Sequence, residues 1–68
     1  MTIGQAFRKM REGKGYSRDD LAFESGVSKN SICSWENDQT FPSLLGLLNV
    51  ADTLECTLDE LVGRKVRE

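Results

Sequence analysis

Apolar residues recur along the chain at steps of three and four, the period of an α-helix viewed from one side. Ile3, Ala6, Phe7 and Met10 stand at i, i+3, i+4 and i+7 and predict a first amphipathic helix. Arg8, Lys9 and Glu12 fall outside that stripe, and Arg11 sits at its edge, where the stem of a long side chain can be covered. Leu21 and Ala22 mark the inner side of a second helix, with Phe23 expected to pack against helix one or four. Ile32 and Trp35, three apart, give a third helix its inner side. Leu44, Leu47, Leu48, Val50, Ala51 and Leu54 form a stripe on a fourth helix that is wider than one contact needs. Leu45 lies off its centre, and Gly46 is expected to weaken the first turn by up to ~1 kcal/mol. Leu58, Leu61 and Val62 predict a short fifth helix facing inward or toward a partner.

Polar residues punctuate this pattern where helices start and stop. Thr2 with Gln5, Ser17 with Asp20 and Thr57 with Glu60 have the spacing of capping boxes. Ser28 and Ser43 are N-cap residues, the latter behind Pro42. Gly13 and Gly15 end helix one, leaving Tyr16 to pack or to sit at the rim, and Gly63 ends helix five. Gly26 tolerates the left-handed backbone that a sharp turn between helices two and three requires, and Val27 plugs the space beneath it. At ~100° per residue, the side of helix three turned away from Ile32 and Trp35 carries Asn30, Cys33, Ser34 and Asn37, with Lys29 on its flank. Two helices across a glycine turn, the second exposing a polar, hydrogen-bonding face, describe a helix-turn-helix.

In order along the chain, the matching residues are Leu21-Ala22, Gly26-Val27-Ser28, Ile32, Trp35-Glu36-Asn37, Pro42 and the run LLNVADTLECTLDELVG at 47–63. With these the chain resembles the helix-turn-helix domains of the phage repressor and Cro group, the XRE family, from about Ile3 to Gly63. The resemblance implies an all-α, compact five-helix repressor-like domain over residues 1–63, with residues 64–68 expected to be a flexible basic tail. It implies a sequence-specific, DNA-binding transcriptional regulator, a repressor in the first instance, that binds a palindromic operator as a homodimer. Helix three then enters the major groove, with half-sites ~34 Å apart.

Residue roles follow by position. Lys29 and Asn30 match the family's leading base readers; lysine suits guanine O6 and N7, asparagine adenine N6 and N7. Ser34, one turn on, is a third reader. Arg18 stands where the family commonly has a glutamine touching phosphate and the first bases, and the helix N-terminus adds its own pull on an anion. Ser28, Asn37, Gln39 and Thr40 complete the expected DNA-binding set as donors to phosphate. Arg11 and Glu36 match an ion pair that clamps helix one to helix three. Dimer contacts in the family come from the end of helix four, helix five and their connection; Leu45, Glu55, Leu58, Leu61 and Val62 are the candidates. Two departures stand out: Asp38 replaces a glycine and is expected to repel phosphate, and Glu55 replaces a helix-ending glycine.

Composition narrows the alternatives. A chain of 68 residues has room for one domain, and such a domain buries only ~60% of the surface its unfolded chain exposes. There is no apolar run near the ~18 residues of a membrane span and no signal-peptide core at the N-terminus, so a cytoplasmic protein is expected. No histidine is present and the two cysteines, Cys33 and Cys56, lie far apart, which excludes a Cys–His zinc site. Cys56 reads as a small core residue and Cys33 as a small outward one, with no disulfide between them. No nucleophile–base pair or glycine-rich phosphate loop appears, and a domain this small is expected to lack a ligand pocket of ~300 Å³. Neither an enzyme, a cofactor, a metal nor a small-molecule ligand is therefore expected.

The net charge is −2, and its distribution is uneven. Arg8, Lys9, Arg11, Lys14, Arg18 and Lys29 all precede residue 30, whereas Asn30 to Gly63 holds only acidic charges. Double-stranded DNA remains the expected partner, with a modest phosphate contribution. The second candidate function is a protein-interaction module on the same scaffold, an antirepressor or antitoxin subunit, favoured by the acidic second half, Asp38 and Leu45.

Overall fold

Every helix begins on a serine or threonine whose hydroxyl accepts a backbone N–H three residues on, satisfying one of the orphan donors of the first turn. A computed structural model, which describes residues 2–63, places α1 at Ile3–Gly13, α2 at Arg18–Ser25, α3 at Lys29–Glu36, α4 at Leu44–Leu54 and α5 at Leu58–Val62. The caps are Thr2, Ser17, Ser28, Ser43 and Thr57. At Thr2 and Thr57 the glutamine or glutamate side chain returns a bond to the cap, closing both capping boxes. At Ser17 only the hydroxyl half forms among the described residues. The expected basic tail at 64–68 lies outside the described residues.

Helix ends follow the same local logic. Gly26 adopts φ 76° and turns the chain from α2 into α3. α1 runs through Gly13, and the left-handed residue after it is Gly15. Glu55 closes α4 at φ 54°, the left-handed conformation for which a glycine is the unstrained choice.

Phe7, Leu21, Ile32, Trp35, Val50, Ala51, Leu54 and Leu61 form the core, drawing on all five helices. α1 packs on α3 and α5, while α2 packs on α3 and α4. The Phe7 and Trp35 rings meet edge to face, with centroids 5.8 Å apart at 84°. On its far side Trp35 meets Gly46, where a Cβ would stand 2.7 Å from the indole Cη2. Gly46 was expected to be a weak point of α4, yet the missing side chain is what admits the tryptophan.

Several apolar residues are not where the periodicity put them. Phe23 is 87% exposed, because the buried row of α2 is Leu21 and Ser25. The Ser25 hydroxyl donates to the Leu21 carbonyl at 2.6 Å and accepts the Val27 N–H at 3.2 Å, so it is satisfied inside. Ile3 is exposed at the start of α1, and Met10 is half-buried. Leu44 and Leu48 belong to the wide stripe expected on helix four and lie on the open side of α4, whose buried row is Gly46, Val50, Ala51 and Leu54. A stripe wider than one contact has thus been split, half to the core and half to solvent. Leu61 is fully buried against its own domain and is not free to contact a second copy.

Candidate nucleic-acid interface

α3 is eight residues long and is gripped on its inner side by Ile32 and Trp35, both buried. Its first two residues, Lys29 and Asn30, are exposed, whereas Ser34 and Cys33 are half-buried. Cys33, expected to point outward, is therefore partly covered. Ser28 caps the helix by accepting the Ser31 N–H at 3.2 Å, and its hydroxyl also meets that of Ser31 at 2.9 Å. The exposed Lys29 ammonium lies 3.1 Å from Asp19 on α2. A surface pair of this kind is screened by salt and easily exchanged for another anion.

The end of α3 is fixed by a buried carboxylate. Glu36 is 6% exposed and receives two arginines. Arg11 donates to it through Nε at 2.7 Å and Nη2 at 3.3 Å, while its Nη1 donates to the Tyr16 carbonyl at 2.7 Å. Arg18 donates through Nε at 3.1 Å, with Nη2 3.0 Å from the same Glu36 oxygen. α1, the N-terminus of α2 and the C-terminus of α3 therefore converge on one anion. No side-chain N or O atom buried among the described residues lacks a partner. The sequence offered Arg18 as a free DNA ligand; in the structure its guanidinium is engaged with Glu36, which holds it more firmly protonated than an ordinary arginine.

The loop after α3 is anchored as well. Asp38 takes φ 57°, and its carboxylate accepts the Gly4 N–H at 2.9 Å and the Thr2 hydroxyl at 2.7 Å. The charge expected to repel phosphate is thus turned onto the N-terminus of α1, where the helix dipole favours it. Gly4 permits this approach, since a Cβ there would stand 2.5 Å from the Trp35 carbonyl oxygen. Gln39 donates its N–H to the Ser34 carbonyl at 2.9 Å, and Asn37, Gln39 and Thr40 remain exposed.

One side of the molecule consequently brings Ser28, Lys29, Asn30, Ser34 and the 37–40 loop onto a helix and a turn held by the Glu36 and Asp38 anchors. Reasoning from sequence missed Asp38 as an anchor and the second arginine on Glu36. The only signal for either lay in residues distant along the chain. The proposed partner residues are spread differently: Leu45 and Glu55 are exposed, Leu58 and Val62 half-buried, and Leu61 buried. Burial pushes the Cys56 thiol up, as befits a packed residue.

The surface carries open grooves. One of about 310 Å³ is bordered by Gly15, Tyr16, Asp20, Phe23 and Glu24. Another of about 540 Å³ runs between Met10 on α1 and Glu60 on α5. Among the described residues no cluster of metal-ligating side chains occurs, and no helix is long and apolar enough to cross a membrane.

A family model described as "Helix-turn-helix" matches residues 7–61. The HTH-type transcriptional regulator SlrR of Bacillus subtilis is 47% identical over 60 residues, covering 87% of this chain and 40% of its own length. Among solved structures, the biofilm master regulator SinR in complex with DNA superimposes with a TM-score of 0.81 at 35% identity, covering 87% of this chain and 98% of that one. The P22 c2 repressor bound to a synthetic operator gives 0.84 at 28% identity, covering 96% and 98%. The chain spans between 40% and 58% of the length of the first curated relatives it matches.

Proposed function

The chain belongs to the phage repressor and Cro-type (XRE) helix-turn-helix family, and from that membership we propose that it is a sequence-specific DNA-binding regulator of transcription, acting in the cytoplasm as a repressor without enzymatic activity. The observation that carries this reading is the outward side of α3: Lys29 and Asn30 exposed at its start, on a helix whose far end is locked by Glu36. A preorganised helix with free hydrogen-bonding groups at its N-terminal end suits the major groove.

In this proposal Asn30 reads adenine through paired hydrogen bonds, Lys29 reads guanine after leaving Asp19, and Ser34 contributes from the next turn. Ser28, Asn37, Gln39 and Thr40 donate to phosphates. Arg18 reaches the backbone with whatever donors Glu36 leaves free. Residues 1–63 are the DNA-binding domain, and two copies occupy a palindromic operator with half-sites ~34 Å apart. Selecting bound duplexes from a random pool tests it: a palindromic consensus, relaxed at one position by Asn30→Ala, is the expected outcome. A pool that stays unselected at low salt contradicts the proposal.

The alternative, a protein-interaction module on the same scaffold, draws support from the paired state of Arg18 and Lys29 and from the exposed leucines of α4. Absence of binding to random-sequence duplex at low salt would favour it.

A further inference from the structure

The acidic first turn of α2 meets the basic first residue of α3. Asp19 and Asp20 both lie in that turn, where the helix dipole favours a carboxylate. Asp19 carries its charge across to the other helix. Its Oδ1 is 3.1 Å from the Lys29 Nζ, with the two side chains 75% and 55% exposed. Asp20 instead borders the groove beside Tyr16, Phe23 and Glu24. A donor and an acceptor thus stand side by side, open to solvent, at the end of α3 where Lys29 and Asn30 are exposed.

We infer that Asp19 is a specificity-determining residue, which together with Lys29 selects one G·C base pair. The inference rests on the DNA-binding function proposed above, with Lys29 as a reader of guanine. A carboxylate can only accept hydrogen bonds, and the base edges of the major groove offer it two donors, cytosine N4 and adenine N6. Guanine O6 and N7, thymine O4 and the phosphate oxygens are all acceptors and repel it. When the ammonium gives up Asp19 for guanine O6 and N7, the carboxylate is stranded unless a donor takes its place.

The cytosine paired with that guanine supplies the donor. Its N4 is hydrogen-bonded to O6 and so lies about 2.9 Å from it, close to the 3.1 Å between the Lys29 and Asp19 atoms. The ion pair and the edge of the base pair match in sign and in spacing, so both ends exchange partners together. An A·T pair fits less well, because its donor stands between its two acceptors and the thymine methyl adjoins one of them. An exposed pair of this kind adds little to stability, so substitution of Asp19 leaves the fold in place for the test.

Competition binding tests the inference, on duplexes selected from a random pool by the 68-residue chain. Lys29→Ala identifies the base pair that Lys29 reads. At that pair the cytosine is replaced by 2-pyrimidinone, which lacks the N4 amino group and leaves guanine O6 and N7 in place. The wild type is expected to bind the replaced duplex about tenfold more weakly, and Asp19→Ala to bind both duplexes alike. Asp20→Ala, which removes the same charge from the same turn, is expected to discriminate as the wild type does. Asp19→Ala also gains affinity for random-sequence duplex, having lost a charge that repels phosphate. Circular dichroism checks that each variant is folded. A wild type indifferent to the N4 group, an Asp19→Ala protein that still discriminates, an equal loss in Asp20→Ala, or a Lys29→Ala protein that relaxes no G·C pair overturns the inference. Each of these leaves sequence-selective binding, and with it the proposed function, in place. A wild type that selects no duplex removes both.

Discussion

Helices α3 and α4 meet across Trp35 and Gly46, and their outward sides differ in kind. α3 turns lysine, asparagine and serine to solvent; α4 turns leucine. Both inner sides obey one rule, apolar atoms packed to contact, so the core alone does not distinguish the helices. What separates them is the cost of leaving each outer side in water: almost nothing for the polar side, appreciable for a patch of leucines. The polar side is suited to a ligand that offers hydrogen-bonding edges, and the apolar side to one that offers carbon.

The comparison breaks most severely at the anchor that presents α3. Glu36→Gln strands Arg11, buried, and frees Arg18, which is partly exposed. A loss of about 3–5 kcal/mol is expected from removing one partner of a buried pair, less whatever Arg18 regains from solvent. Urea denaturation measures it. Gly46→Ala attacks the shared inner side. Helix propensity alone predicts a gain of up to ~1 kcal/mol, whereas the contact with Trp35 predicts a net loss of about 1–3 kcal/mol from overpacking. The sign of the shift in the same experiment decides which effect wins.

Asn30→Ala leaves the fold untouched and costs about 1–3 kcal/mol of discrimination at one base pair, read by competition between a selected duplex and its single-base variants. A smaller effect is expected of Asp19→Asn, which releases Lys29. Folding stability changes by less than about 0.5 kcal/mol, while affinity for duplex rises and its salt dependence steepens.

The smallest effect is a pH dependence at α5. The Glu60 carboxyl is held below its ordinary value first by the Thr57 N–H and then by the Thr57 hydroxyl, with Lys14 adding a weaker pull. Its native pKa is depressed, so its contribution is present above the unfolded value of about 4.3 and is lost as pH falls through the native one. Amide protection factors at Leu58–Leu61, exchange normalised to the intrinsic rate at each pH, should fall in that acidic window and stay flat above it.

The scaffold was legible because its signals are local. Ser or Thr at positions 2, 17, 28, 43 and 57 marks each helix start, and a cap depends only on residues three apart. Periodicity found most of the core for the same reason. It failed where burial is decided by a neighbour distant along the chain. Phe23 reads as core but loses its place to Ser25, whose hydroxyl finds partners within one turn. Leu44 and Leu48 belong to a stripe too wide for periodicity to say which half is covered. Arg18 and Asp38 were read as DNA-facing, attractive and repulsive respectively. Both are turned to partners 18 and 34 or more residues away, a proximity that no spacing along the chain encodes.

Amide chemical shifts of the 68-residue chain, followed by NMR as a random-sequence duplex is added at low salt, probe both outer sides at once. Changes centred on Lys29, Asn30, Ser34 and the 37–40 loop, with Leu44–Leu48 unmoved, are the predicted result. Shifts confined to Leu44–Leu48, or none anywhere, would contradict the assignment of the polar side of α3 to DNA.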